Sequence, residues 1–204
     1  MKIGPKYKMC RRVGDRVFAK CETTKFTVSG IQPKQKGKKR RKPLSEYGSQ
    51  LLEKQKARYT YGVSEKQFVN YVKKARQQSK VNPAAKIFQQ LESRLDNAVY
   101  RSGLASTRGL ARQIVSHGHI MVNGRKVTIP SYQIKADDVL SVRPQSRDKG
   151  VFTGLTEKLK DTTLPVWLSL GDKEEKIKVL ALPEPKIKED STINYHSIIE
   201  FYSR

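Results

Sequence analysis

Arg101, Arg108, Arg112, His117, His119, Asn123 and Arg125 fall within one short stretch of this chain, with Thr107 and Gln113 among them and Arg94 just before. All can donate hydrogen bonds, and the planar arginine fork suits paired phosphate oxygens. With few carboxylates among them, residues of these types are equipped to hold a polyanion rather than to make or break bonds. A helix beginning at Thr107 would add backbone N–H donors to the set.

Catalysis asks for other arrangements. The three histidines are His117, His119 and His196; none is paired in sequence with a plausible nucleophile, for although Ser116 adjoins His117 no Gly-x-Ser-x-Gly elbow is present. Neither Gly-x-x-x-x-Gly-Lys nor Gly-x-Gly-x-x-Gly occurs to cradle a nucleotide. Glu92 and Asp96 sit among cations and read as helix salt bridges. The expectation is a protein that is not an enzyme, with no cofactor and no small-molecule substrate. Cys10 and Cys21 have no histidine within the first hundred residues to complete four zinc ligands, so no metal site is expected. With no secretory context, the two cysteines are expected as free thiols.

The elements that must position the donors follow from periodicity and caps. Ser45 caps a helix to about Tyr59, stopped by Gly62. Ser64 and Gln67 form a capping-box pair, with Val63 and Phe68 as the apolar staple, and Phe68, Tyr71, Val72 and Ala75 line one face. Asn82-Pro83 starts a third helix whose stripe is Ile87, Phe88, Leu91, Leu95 and Val99, ended by Gly103. Thr107 (or Ser106) caps a fourth, running to His117 and stopped by Gly118, with Leu110, Ala111 and Ile114 inward. Arg108 and Arg112, four apart, share its outward side, so reversing both charges should weaken binding and leave the fold intact. Ile120 and Val122 enter a hairpin turned by Asn123-Gly124 and returning over Arg125–Thr128. Short strands follow near Tyr132–Ile134 and Val139–Val142, around the turn Lys135–Asp138. Val151, Phe152, Leu155 and Leu159 suggest another helix, and Val166–Leu170 and Lys176–Leu182 two strands around Gly171-Asp172. The apolar Ile198, Ile199, Phe201 and Tyr202 imply that the last ten residues dock on a core.

This reads as an α+β fold in four parts. Residues 1–43 form a basic irregular arm. Residues 44–90 form a helical domain joined by 190–204. Residues 91–150 form an inserted or appended helix-helix-hairpin module with a small, mostly antiparallel sheet. Residues 151–189 supply a helix and strands that pack with the module.

Charge sharpens the polyanion reading. The 204 residues carry 42 Lys and Arg against 19 Asp and Glu, a formal net charge of +23. Residues 1–60 hold 18 of those cations against 4 carboxylates, and seven of nine positions from Lys34 to Lys42 are cationic. So dense a run repels itself and has little apolar area to offset ordering, so the arm is expected to be largely disordered in water and to thread through nucleic acid. Lys38, Lys39, Arg40, Arg41 and Lys42, with Lys54 and Arg58 beyond them, join the expected RNA-binding set. No stretch approaches the roughly 20 apolar residues of a spanning helix, and no secretion signal is evident, so a cytoplasmic protein without a membrane partner is expected. DNA readers rarely spread charge over an arm and two modules; structured RNA, with its packed backbones, rewards that.

Leu91-Glu-Ser-Arg-Leu-Asp-Asn-Ala-Val-Tyr-Arg101, Thr107-Arg108, Ala111-Arg112-Gln113, His117-Gly-His-Ile120 and Val122-Asn-Gly124 resemble the RNA-binding module named after the fourth protein of the bacterial small ribosomal subunit. Pseudouridine synthases and some tyrosyl-tRNA synthetases carry that module too. Tyr61-Gly-Val-Ser-Glu-Lys-Gln-Phe68, Trp167-Leu-Ser-Leu170 and Ile199-Glu-Phe-Tyr-Ser-Arg204 are similar to signatures of the ribosomal family itself. The resemblance implies a structural constituent of the ribosome and a primary binder of small-subunit (16S) ribosomal RNA. It implies a role in nucleating assembly of the subunit body and in translational accuracy, with contacts to the fifth small-subunit protein, to other neighbours and to messenger RNA. An RNA-modifying enzyme with the same module, or a general nucleic-acid-coating protein, is the alternative. Two departures stand out. Many relatives hold four N-terminal cysteines on zinc; this chain has two at unsuitable spacing, so its arm is expected to rely on RNA for order. Gly109 and Leu110 occupy a helix turn often charged in relatives, which thins the basic face.

Overall fold

The computed structural model describes residues 4–23, 44–77, 82–147, 149–152, 154, 159, 162–171, 176–184 and 193–203. The fold is α+β and divides into two compact units, 1–84 with 187–204 and 85–186. The strands of the second half therefore belong with the module rather than to a separate region: 120–142 and 168–179 make one sheet.

In the first unit, α1 (Lys6–Val13) ends at Gly14, whose φ of 76° reverses the chain. A short 3-10 turn at Ala19–Glu22 then returns to it, and Cys10 and Cys21 are joined by a disulfide. The expectation of free thiols is corrected: the reversal at Gly14 brings two buried sulfurs together beside Tyr7, Val17 and Phe18. For residues 4–23 so is that of an arm without its own structure, since they also pack on the next helix through Lys56–Asp15 at 2.7 Å and the Phe18–Tyr59 ring pair; residues 24–43 lie outside the described residues. That helix is α2 (Glu46–Tyr61), capped by Ser45 and closed by Gly62 at φ 59°. After it come α3 (Glu65–Gln77) and α4 (Pro83–Glu92), the latter capped by Asn82 Oδ1 at 3.0 Å from the Ala84 N–H. Val63 and Phe68, the staple pair, are fully buried.

The second unit takes most of α4 and continues through α5 (Leu95–Arg101) and α6 (Arg108–Ser116). One helix from Asn82 to Gly103 was expected, and the chain breaks instead at Ser93 and Arg94. Arg94 is extended (ψ 139°) and bridges Gln133, while the Leu95 N–H donates to Tyr132 O and the Ile134 N–H to Ser93 O. Backbone bonds to a segment some forty residues away displace the helical ones, and Tyr132–Ile134 serves as their partner rather than as a ladder strand. Gly103 and Gly118, both at positive φ, end α5 and α6 as expected.

Five antiparallel strands follow: β1 (Ile120–Val122), β2 (Arg125–Lys126), β3 (Val139–Val142), β4 (Leu168–Leu170) and β5 (Lys176–Val179), in the order β2-β1-β3-β5-β4. Ile120 faces Val142, and Leu140 faces Ile177. One sheet face packs against α5 and α6 around Leu95, Val99, Ala111, Ile114 and Val115. The leucine, isoleucine and valine side chains among them each contribute about 1.5–3 kcal/mol by leaving water. Of the helix suggested by Val151 to Leu159, a short 3-10 turn at Gly150–Phe152 and the buried Leu159 are described; Leu155 and Asp172 lie outside the described residues.

The chain returns to the first unit as α7 (Tyr195–Phe201), capped by Asn194. It docks on α2 through Asn194 N–H to Glu53 at 2.9 Å, Gln50 to Glu200 at 3.2 Å and the paired hydroxyls of Tyr61 and Tyr195. The apolar C-terminal stretch thus packs on a core, with Ile198 fully buried.

Candidate nucleic-acid interface

Two carboxylates lie beneath the arginines of the second unit and aim them. Glu92, 1% exposed, accepts from Arg101 through both oxygens, Nε and Nη2 each at 3.0 Å. Asn97 links the same carboxylate to the next arginine: its Nδ2 donates to Glu92 Oε2 at 2.8 Å, and its Oδ1 accepts from Arg108 Nε at 2.9 Å. The Arg108 guanidinium also lies 4.4 Å above the centre of the Tyr100 ring, a stacking geometry that favours arginine over lysine. Asp96 takes Arg112 through Nε at 2.9 Å and Nη2 at 2.6 Å. The same carboxylate holds Arg94 through Nε at 3.0 Å and Nη2 at 2.8 Å.

The Arg101–Glu92 and Arg112–Asp96 contacts are tertiary ion pairs, not the helix salt bridges expected of Glu92 and Asp96. They join residues nine and sixteen apart across the break between α4 and α5 and across to α6. Each fixes one edge of a guanidinium while Arg101 and Arg112 keep 26% and 30% of their side chains exposed. Four arginines against two carboxylates leave the cluster net cationic. A polyanion therefore meets donors whose ordering cost is already met by the fold.

The expected residues divide by role. Arg101, Arg108 and Arg112 converge at the start of α6, where the Thr107 hydroxyl accepts from the Leu110 N–H at 3.2 Å. Gln113, His117 and Arg125 are exposed along α6 and the hairpin. Arg94 is 2% exposed and committed to Asp96, so it supports the surface from below. Asn123, at φ 50°, ties the hairpin to β3: its Nδ2 donates to Asp138 Oδ1 and its Oδ1 accepts from the Val139 N–H, each at 2.8 Å. Lys54 and Arg58 lie in the first unit and share Glu65, at 3.1 and 2.7 Å, with the Lys54 ammonium over the Phe201 ring. Burial alone would raise the Glu65 carboxyl, but the Tyr202 hydroxyl, Lys54 and Arg58 outweigh it and hold it below its usual value. Lys38, Lys39, Arg40, Arg41 and Lys42 lie outside the described residues. The anchored arginines also overturn the expected test. Arg112→Glu would set a carboxylate against buried Asp96, so reversing both charges would not leave the fold intact.

At the far end of α6 a second cationic corner forms. His119 Nδ1 lies 2.9 Å from the Ser146 hydroxyl, and its ring meets those of His117 and Phe152 edge-on at 5.9 and 6.1 Å. Gly118, at φ 72°, lets the Lys126 side chain cross the turn so closely that any Cβ there would overlap it. Burial first, then the charges of Lys149, His117, Arg143 and Lys126, hold the His119 imidazole below its usual value. Sequence reading missed Lys126, Arg143 and Lys149 at this corner and Glu92, Asp96, Asn97 and Tyr100 beneath the arginines. Lys126 had a signal, as neighbour of Arg125 on the exposed return strand; the others depend on contacts between distant segments.

Comparison with known families agrees with this geometry. Residues 93–140 match the S4 domain, and residues 1–92 match the ribosomal protein S4/S9 N-terminal domain. The chain is 44% identical to the small ribosomal subunit protein uS4 of Halothermothrix orenii over 98% of both chains. It is 43% identical to that of Aquifex aeolicus over 99% of this chain and 98% of the relative, and 45% identical to that of a Roseiflexus species over 98% of both. Similarity at that level over the full length of both partners carries the conclusion: the chain belongs to the family of small ribosomal subunit protein uS4.

Proposed function

We infer that the chain is a structural protein of the small ribosomal subunit that binds small-subunit ribosomal RNA, working in the cytoplasm as part of the ribosome and not as an enzyme. The observation that carries this reading is the fan of Arg101, Arg108 and Arg112 on one surface, each aimed by a buried carboxylate or amide. Thr107, Gln113, His117, His119, Asn123 and Arg125 border it, and Lys38 to Lys42 add five consecutive cations to the chain's RNA-binding set. Lys54, Arg58 and Arg94 serve by holding the scaffold. Family membership supports the finer reading: early binding that nucleates the subunit body, a part in translational accuracy, and contact with the fifth small-subunit protein and with messenger RNA.

Filter binding to small-subunit ribosomal RNA and to random RNA of equal length, across a salt series, tests the proposal. Log affinity should fall linearly with log salt, with the ribosomal RNA bound more tightly throughout. Arg112→Ala should reduce the slope by about one ion. Equal affinity for both RNAs, or failure to sediment with small subunits, would overturn the reading.

A further inference from the structure

The arginine surface is balanced from beneath by Glu92 and Asp96; among the described residues the histidine corner has no such counter-charge. Five basic groups meet there from four segments: His117 at the end of α6, His119 entering β1, Lys126 on β2, and Arg143 with Lys149 after β3. Among the described residues none of the five is ion-paired to a carboxylate. Two neutral groups also face His119: the Ser146 hydroxyl, 3% exposed as a residue, and the Phe152 ring. The Arg143 N–H donates to His119 O at 2.8 Å, so backbone bonding fixes the corner's geometry. Positive groups forced together without a counter-ion are a site for an anion, and the mutual repulsion is relieved when one arrives.

We propose that this corner is a proton-linked phosphate site, in which an RNA backbone phosphate seats among His117, His119, Lys126, Arg143 and Lys149 while His119 takes up one proton. The proposal rests on the RNA-binding reading and deepens it. In the unbound protein burial and the neighbouring cations hold the proton affinity of His119 below its usual value, and in its neutral form the one ring proton points to solvent or to Ser146 according to tautomer. An arriving phosphate cancels the field of the lysines and Arg143, and solvent supplies the second proton. The imidazolium then donates from Nδ1 to the Ser146 oxygen, which can rotate to accept, and from Nε2 toward the anion. Because binding raises a proton affinity that the empty corner lowers, RNA affinity rises as pH falls through the interval between the two values.

The test is RNA binding by the full chain at constant ionic strength from pH 5.5 to 8.5, with calorimetry in buffers of different ionisation enthalpy to count protons. Wild-type affinity should rise as pH falls, approaching about tenfold per pH unit where one proton is taken up, with matching calorimetric uptake. His119→Gln, which keeps a polar side chain beside Ser146, should flatten the dependence; His196→Gln, in the other unit, should leave it intact. As a check independent of RNA, Lys149→Ala should raise the titration midpoint of His119 followed by proton NMR of the free protein. Specific, salt-dependent binding with no proton uptake, or an undiminished pH slope in His119→Gln, would overturn this inference while leaving the RNA-binding reading standing. Loss of ribosomal RNA preference at every pH would overturn both.

Discussion

Replacing Asp96 by alanine should cost this protein far more than replacing the partly exposed arginine that binds it. Asp96 is 4% exposed and accepts four N–H bonds, two from Arg94 and two from Arg112. Arg94 is itself 2% exposed, so Asp96→Ala strands a guanidinium in the interior. Removing one partner of a buried pair costs about 3–5 kcal/mol. For a unit the size of 85–186 that lowers the unfolding midpoint by upward of about 12 °C. Arg112→Ala leaves Asp96 still paired to Arg94 and removes a partner that is 30% exposed, so the cost is about 1 kcal/mol. Arg112→Glu belongs with the severe class, because two like charges 4 Å apart repel by about 4 kcal/mol at an effective dielectric of 20. Thermal unfolding followed by far-ultraviolet circular dichroism at pH 7 ranks the three variants. The reasoning is refuted if Asp96→Ala melts within about 4 °C of the unsubstituted chain, or if Arg112→Ala is as costly as Asp96→Ala.

Reduction of Cys10–Cys21, or Cys10→Ser, should loosen residues 4–23, since closing a loop of this length is worth about 3 kcal/mol; faster tryptic cleavage at Arg11, Arg12 and Arg16 after reduction is the measure, and unchanged protection would count against it. Asn123→Ala removes both side-chain bonds from the hairpin to Asp138 and Val139 and should cost about 2 kcal/mol, read as faster hydrogen exchange at the Val139 amide. Glu65 is held below its usual carboxyl value by Tyr202, Lys54 and Arg58 against the opposing effect of burial. Its contribution is therefore complete above the unfolded value of 4.5 and lost as pH falls through the lowered folded one. Acid titration of stability should show that loss, and Glu65→Gln should remove it; an identical acid profile in the variant would contradict the assignment.

Local rules carried most of the element boundaries. Ser45, Asn82 and Thr107 cap their helices and Gly62, Gly103 and Gly118 end them, because caps and left-handed residues act within a turn of their own position. Asn123-Gly124 turns the hairpin for the same reason. The errors share a different cause. The helix break at Ser93–Arg94 depends on the backbone of Pro130–Ile134, while the stripe of Leu91, Leu95 and Val99 keeps helical spacing across it. Cys10 and Cys21 pair because Gly14 reverses the chain between them, which spacing alone did not reveal.

From sequence alone come the charge, the cap and turn positions, the apolar stripes and the donor-rich run that marks the RNA-binding module, since composition and local chemistry are written residue by residue. Tertiary structure decides which donors face outward and which are consumed. Arg94 and Arg112 are alike in sequence, yet one is buried beneath Asp96 and the other stays exposed above it. The difference lies in the desolvation and pairing of charges brought together from distant segments, and those energies exist only once the chain has folded.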